Sequence, residues 1–238
     1  MKAVEIIKLL NQWALPCLID KWDNTGFQIG DPEKEIRKVL ISLDLDREVL
    51  EKAIEENAQM IVTHHPIIFK PMKSITKLSY KEKLVYDIIK EDIVVYNAHT
   101  NLDLAENGVN DTLAKVLEIR NMEPLKIIYE EPCTYDIQPA ANKGKVFGYG
   151  RIGEIEKTSL LNYLDILKEK LKVENLIIYG DMDRIVDKVA VCGGSGSSFI
   201  YDAYLKGAHI YITGDVKYHE AQYANELGLT IIDAGHYH

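Results

Sequence analysis

Two stretches of the chain, 39–63 and 189–213, carry one pattern of apolar strand, turn, small-residue helix and apolar strand, offset by 150 residues without a gap. The offset sets Val39 on Val189, Asp44 on Gly194, Ala53 on Ala203, Ala58 on Ala208, Val62 on Ile212 and Thr63 on Thr213. A strand, a helix and a second strand at this spacing require parallel pairing through a right-handed crossover, and a repeat of the unit requires two such pairings. The pattern predicts an α/β protein of two related domains, with mixed, largely parallel sheets flanked by helices.

In the first copy, strands over 39–43, 60–63 and 93–96 alternate with helices over 47–57 and 80–90, and Asp46 stands where an N-cap is needed. Upstream, 4–15 reads as an amphipathic helix and Trp22-Asp23-Asn24-Thr25-Gly26 as a turn. The second copy places strands over 189–192, 210–213 and 229–232 and helices over 199–206 and 218–227. Between the copies, 123–187 is a variable-looking stretch with Pro124, Pro132 and Pro139, a strand over 146–151, a helix over 159–171 and a strand over 176–179. It reads as an added or swapped portion of the second half. The expected domains are 1–122 and 123–238, the second holding the duplicated unit 188–233.

Composition narrows the function classes. With 47% hydrophobic residues the chain can build cores, yet its apolar runs are of strand length, far below the roughly 20 residues of a membrane-spanning helix. A formal net charge of -9 repels phosphate backbones, which disfavours general nucleic-acid binding. Cys17, Cys133 and Cys192 are odd in number, far apart and outside any CxxC pair, so neither a disulfide framework nor a thiolate metal site is expected. These features, with no secretory leader pattern at the start, imply a cytoplasmic protein without a membrane partner.

The strongest chemical signal is Thr63-His64-His65-Pro66, because it places two imidazoles at the carboxyl end of a strand, the edge where open α/β sheets bind ligands. Adjacent side chains of an extended strand point to opposite faces, so two ions, one per ring, suit the pair better than one. The alternative is one packed histidine and one loop cap. A second strand end gives His99-Thr100-Asn101-Leu102-Asp103, which also reads as an Asn/Asp turn into a helix near 108–117. A third gives Asp233-Ala234-Gly235-His236. Three strand ends that each deliver a histidine are more economically explained by one site than by three separate packing roles.

The turn Gly193-Gly194-Ser195-Gly196-Ser197-Ser198 makes Gly194, Ser195 and Gly196 candidates to cradle a phosphate, although a tight strand-to-helix turn needs glycine in any case. In the second copy Gly214 and Asp215 occupy the slots of His64 and His65, so that copy lacks the imidazole pair; Asp215, Lys217 and His219 remain candidates for substrate contact.

These motifs together resemble the GTP cyclohydrolase I type 2-like family, also called the NIF-three-like dinuclear metal-centre proteins. The likeness runs through Lys21-Trp22-Asp23-Asn24-Thr25-Gly26-Phe27-Gln28-Ile29-Gly30, Val62 to Pro66, Ala98 to Asp103, Gly108-Val109-Asn110-Asp111, Gly193 to Gly196, Ile212 to Asp215 and Asp233 to Tyr237. The resemblance implies a metal site in an interdomain cleft and a toroidal homohexamer. It implies two divalent ions per subunit (zinc, iron, manganese, cobalt or nickel) held by His64, His65, Asp103 and His236, with His99 as a neighbouring orienting or acid/base group. Relatives carry an acidic ligand four places after the histidine of the Gly-His-Tyr motif, which here is two residues past His238. The expectation is therefore a truncated sequence, and weak or partial metal occupancy in this form.

The expected function is metal-dependent hydrolysis of a nucleotide or purine compound, with ring-opening of GTP as the family label suggests and with His99 and His219 as candidate proton carriers. Two other readings stand beside it: a two-metal phosphoesterase, and a non-catalytic metal-stabilised ring that binds nucleic acid or protein partners.

Overall fold

The computed structural model describes residues 1–129 and 146–237, so Pro132, Cys133 and Pro139 lie outside the described residues. Two compact units divide it, one over Met1–Ala105 and a second that begins at Glu106.

In the first unit, α1 (Ala3–Trp13) is followed by the edge strand β1 (Gly26–Ile29), then β2 (Val39–Ser42), α2 (Arg47–Glu55), β3 (Met60–Thr63), α3 (Tyr80–Lys90), β4 (Val94–Asn97) and the one-turn α4 (Thr100–Leu104). Asp46 caps α2 by accepting from the Val49 amide at 2.9 Å, as its position predicts. The sheet order is β1-β4-β3-β2. The strands β2, β3 and β4 are parallel, and β1 runs antiparallel to β4. Both faces are covered. Ile61 and Val95 pack with Leu50 and Ala53 of α2 and Leu84, Val85 and Ile88 of α3, while Met60, Val62, Val94 and Tyr96 pack with Ala3 of α1. All four residues of β3 and of β4 are buried, as expected of central parallel strands with helices on both sides.

The second unit opens with α5 (Val109–Val116) and continues through β5 (Arg120–Tyr129), β6 (Phe147–Ser159), α6 (Leu160–Leu171), β7 (Ile177–Tyr179), β8 (Ile185–Val191), α7 (Ile200–Leu205), β9 (Ile210–Thr213), α8 (Tyr218–Glu226) and β10 (Thr230–Asp233). Its sheet order is β5-β6-β8-β9-β10-β7. The repeat seen in the sequence is a repeat in register: Val39 pairs with Met60 and Ile41 with Val62, while Val189 pairs with Ile210 and Val191 with Ile212. It also extends further than the sequence suggests, since β7 lies antiparallel on β10 as β1 does on β4. What the second unit adds is the antiparallel β5–β6 ladder on the β8 side.

Unit and domain boundaries differ. The sequence suggests a division at 122/123, whereas the compact units meet at Ala105/Glu106. The reason is packing: Ala114, Leu117 and Ile119 are buried with Leu160, Tyr163, Leu167 and Val189 in the core of the second sheet, and β5 is its edge strand. The strand expected over 146–151 is also longer, reaching Ser159, because β6 pairs with β5 on one side and with β8 on the other. Among the described residues no helix is long and apolar enough to cross a membrane.

Candidate metal centre

Parallel strands β2, β3 and β4 end at one edge of the first sheet, and each delivers a polar side chain there: Asp44 two residues after β2, His64 and His65 directly after β3, and His99 two residues after β4. The ladder continues into this edge, since the Ala98 amide donates to the Thr63 carbonyl at 3.0 Å and the His65 amide to that of Leu43 at 3.0 Å. The backbone that carries the histidines is thus held by the sheet itself.

His64, His65 and His99 come together. Their rings lie 5.0 to 5.5 Å apart, centre to centre, and one ligand atom from each falls within 4.8 Å of the others. All three are partly buried. Each has its Nδ1 occupied by an oxygen: His64 by the Ala98 carbonyl at 2.8 Å, His65 by the Asp44 carboxylate at 2.8 Å and His99 by the Asp23 carboxylate at 2.9 Å. A carbonyl oxygen only accepts, and so does an ionised carboxylate; in the neutral ring the proton therefore sits on Nδ1 and the lone pair on Nε2. Metal-binding histidines are commonly oriented in this way, by an oxygen acceptor on the ring nitrogen that faces away from the ion. This donor set fits a divalent ion.

Asp23 is the anchor of the group, and its own carboxylate is fully buried. Burial pushes it up, but the hydrogen bonds from His99, Thr25 and Thr100, with the His99 charge, outweigh burial and hold it well below the usual carboxylate range. Thr100 contributes through its hydroxyl at 2.7 Å and its amide at 3.3 Å. For His99 burial acts against the charged ring, yet the hydrogen bond and charge of Asp23, aided by Asp103 and Asp20, raise it above its ordinary value.

Asp103 reaches the cluster through α4. One helical turn after His99 returns the chain to the same side, with the Asp103 amide donating to the His99 carbonyl at 3.0 Å. Its carboxylate stands 3.5 Å from His64 Nε2. Burial, opposed by the His99 charge and reinforced by those of Asp23 and Asp20, pushes Asp103 up to about 7. The turn is anchored by buried Asn101, which donates to the Ala14 carbonyl at 2.8 Å.

In the second unit the corresponding edge differs. Gly214 and Asp215 follow β9, and the Gly214 amide donates to the Gly194 carbonyl at 2.9 Å. His236, three residues after β10, has its Nδ1 against the Asp215 carboxylate at 2.7 Å, the same arrangement as His65 with Asp44. In the candidate phosphate turn, the Gly193 amide donates to Asn110 and the Gly196 amide to Thr213, each at 2.9 Å, so the Gly196 N–H is committed to the fold. His219 is exposed in the first turn of α8, with its ring edge-on to Tyr218 at 5.2 Å.

Of the residues named from the sequence, His64, His65, His99 and Asp103 are gathered in the first unit, and His236 belongs to the second. Sequence reasoning missed the orienting roles of Asp23 and Asp44. Their signals were present: Asp23 sits in a polar turn too rich for a plain connection, and Asp44 follows a strand at the edge where the histidines emerge.

Comparison with known proteins matches the chain along its whole length. The family model for Duf34/NIF3 (NGG1p interacting factor 3) matches residues 1–238. A Clostridium perfringens protein named "GTP cyclohydrolase 1 type 2 homolog" is 36% identical over 238 residues, covering 100% of this chain and 86% of that protein. A Methanocaldococcus jannaschii protein of the same name is 35% identical over 239 residues, 100% of this chain and 89% of the relative. Among solved structures, a Bacillus cereus protein related to NIF3 superposes with a TM-score of 0.93 at 31% identity, covering 99% of this chain and 88% of that one. Reduced HcgD from Methanocaldococcus jannaschii superposes with a TM-score of 0.80 at 34% identity, covering 100% and 88%.

Proposed function

Because this chain belongs to the Duf34/NIF3 family, we propose that it is a divalent-metal-dependent hydrolase whose substrate is a nucleotide or related purine compound. The observation that carries the reading is the cluster of His64, His65 and His99, each with Nδ1 held by an oxygen and Nε2 left as the basic nitrogen. Asp103 adds a carboxylate beside His64, and a carboxylate can bridge two ions, which supports a dinuclear centre. In this reading His99 is a third imidazole donor, and Asp23 and Asp44 keep the rings aligned. Mixed imidazole and carboxylate donors suit zinc, iron, manganese, cobalt or nickel. When bound, such ions supply Lewis acidity and activate water for attack.

The name shared by the curated relatives supports GTP ring-opening as the reaction. The test is formate release from GTP, followed by mass spectrometry with metal-loaded protein. Formate in step with GTP loss is the expected result; intact GTP with the metal retained would remove this reaction.

A second reading is a metal-stabilised, non-catalytic homohexameric ring in the cytoplasm, and the family description, that of an interacting factor, favours it. His64→Ala with His65→Ala separates the two: an intact assembly without turnover supports the hydrolase, and a lost assembly with no turnover to lose supports the scaffold.

A further inference from the structure

The motif Trp22-Asp23-Asn24-Thr25-Gly26-Phe27-Gln28 has a structural account for several of its members but not for Trp22. Asp23 orients His99, and Thr25 donates to Asp23. Asn24 and Gln28 tie this segment to the one that follows the paired histidines: the Asn24 amide group donates to the Ile68 carbonyl, the Ile68 amide donates to Gln28 Oε1 at 3.2 Å, and Gln28 Nε2 donates back to the Asn24 carbonyl at 2.7 Å. Trp22 itself is 62% exposed, and Phe69, next to Ile68, is 41% exposed. Burying either ring would be favourable, so their exposure at a fixed position calls for another explanation.

The two rings are fixed beside the histidine cluster. Trp22 lies edge-on to His99, with centres 6.2 Å apart and planes at 83°, and also edge-on to Phe69 at 6.0 Å and 62°. Asp23 points inward to hold His99 while its neighbour Trp22 stays outside, so one peptide unit couples the metal-directed imidazole to an open aromatic face. The crosslinks through Asn24 and Gln28 set Phe69 relative to Trp22 before any ligand arrives, which lowers the ordering cost of binding.

We propose that Trp22, flanked by Phe69, is a stacking face for a planar heteroaromatic ring, and that it presents that ring to the histidine cluster. The inference rests on the nucleotide or purine reading of the same site and narrows it: affinity would come from the base, in addition to any contact with phosphate. Stacking on tryptophan tolerates different bases because each has a π face, so guanine and adenine compounds would both bind.

The test uses metal-loaded full-length protein and calorimetric titration with GTP, guanosine, adenosine and inorganic tripolyphosphate, on wild type, Trp22→Ala, Trp22→Phe and Phe69→Ala. Expected is nucleoside binding that weakens about tenfold or more in Trp22→Ala, is largely kept in Trp22→Phe and falls less in Phe69→Ala, with tripolyphosphate affinity the same in wild type and Trp22→Ala. In a Trp13→Phe background, guanosine quenches the remaining Trp22 fluorescence and tripolyphosphate does not. Equal nucleoside affinity in wild type and Trp22→Ala, at matched metal content and circular dichroism, overturns the proposal; so does the absence of nucleoside binding and quenching. Stacking without GTP turnover upholds the aromatic face and removes GTP ring-opening, whereas turnover unaffected by Trp22→Ala does the reverse.

Discussion

The two units share a core of three parallel strands with an antiparallel fourth, paired in the same register, yet their strand ends have diverged. In the first, β3 ends in His64 and His65 and β4 leads to His99; in the second, β9 ends in Gly214 and Asp215 and β10 leads to Ala234 and Gly235 before His236. Even the exit from the third parallel strand is conserved in geometry, with Ala98 donating to Thr63 at 3.0 Å and Ala234 to Thr213 at 2.8 Å. A sheet of this kind fixes where its ends are, and substitution at a handful of end positions decides which side chains are set there. His64 has room for an imidazole. Its counterpart Gly214 has none, because a Cβ there would lie 2.3 Å from the Gly235 carbonyl oxygen.

The largest effect is expected where the units differ most. His64→Ala with His65→Ala should reduce bound metal to background by elemental analysis, while the circular dichroism stays that of wild type. Metal retained in full would erase the distinction between the two edges. Next comes the support beneath the imidazoles: Asp23→Asn leaves the His99 ring without its carboxylate partner and should weaken metal affinity by roughly 10- to 100-fold in competition with a chelator. An unchanged affinity would mean that His99 needs no orientation.

Smaller in consequence is the second unit's packed edge. Gly214→Ala forces a methyl group against backbone and should cost about 1–3 kcal/mol in denaturant unfolding, with metal affinity at the first unit's histidines unaltered. A neutral result would show that this strand end can also accept a side chain.

The smallest effect concerns Asp103 in metal-free protein. Its folded value, pushed up to about 7 by burial, lies above the ordinary carboxylate value of about 3.9. The stability it contributes is thus present below the ordinary value and is lost as pH rises through about 7. Asp103→Asn, which cannot ionise, should match wild type near pH 4 and exceed it near pH 8 by about 1 kcal/mol, allowing for water that reaches the group. Metal affinity in wild type should rise over the same window, since ligands bind deprotonated. Identical pH profiles for the two proteins would place the Asp103 charge outside the balance.

The duplicated strand and helix pattern was legible because parallel strands buried on both faces are nearly continuous apolar runs, and Val39 and Val189 begin copies that match residue for residue. The edge strand β1 was not, since Gly26-Phe27-Gln28-Ile29 alternates over four residues only and follows a polar turn. Nor was the assignment of α5 and β5 to the second unit, which depends on which core accepts Ala114 and Leu117. At the site, His64 and His65 announce themselves by adjacency to a strand. Asp23 reaches His99 across 76 positions of sequence, and no local spacing encodes such a contact.

The proposed metal centre requires that the strand ends of the first unit hold a divalent ion through Nε2 nitrogens. An anomalous difference map from crystals of zinc-reconstituted protein tests it most directly. The expected result is a peak about 2.0–2.1 Å from Nε2 of at least two of His64, His65 and His99, with every Nδ1 still on its oxygen partner. Zinc bound elsewhere, or reached through an Nδ1, would contradict it.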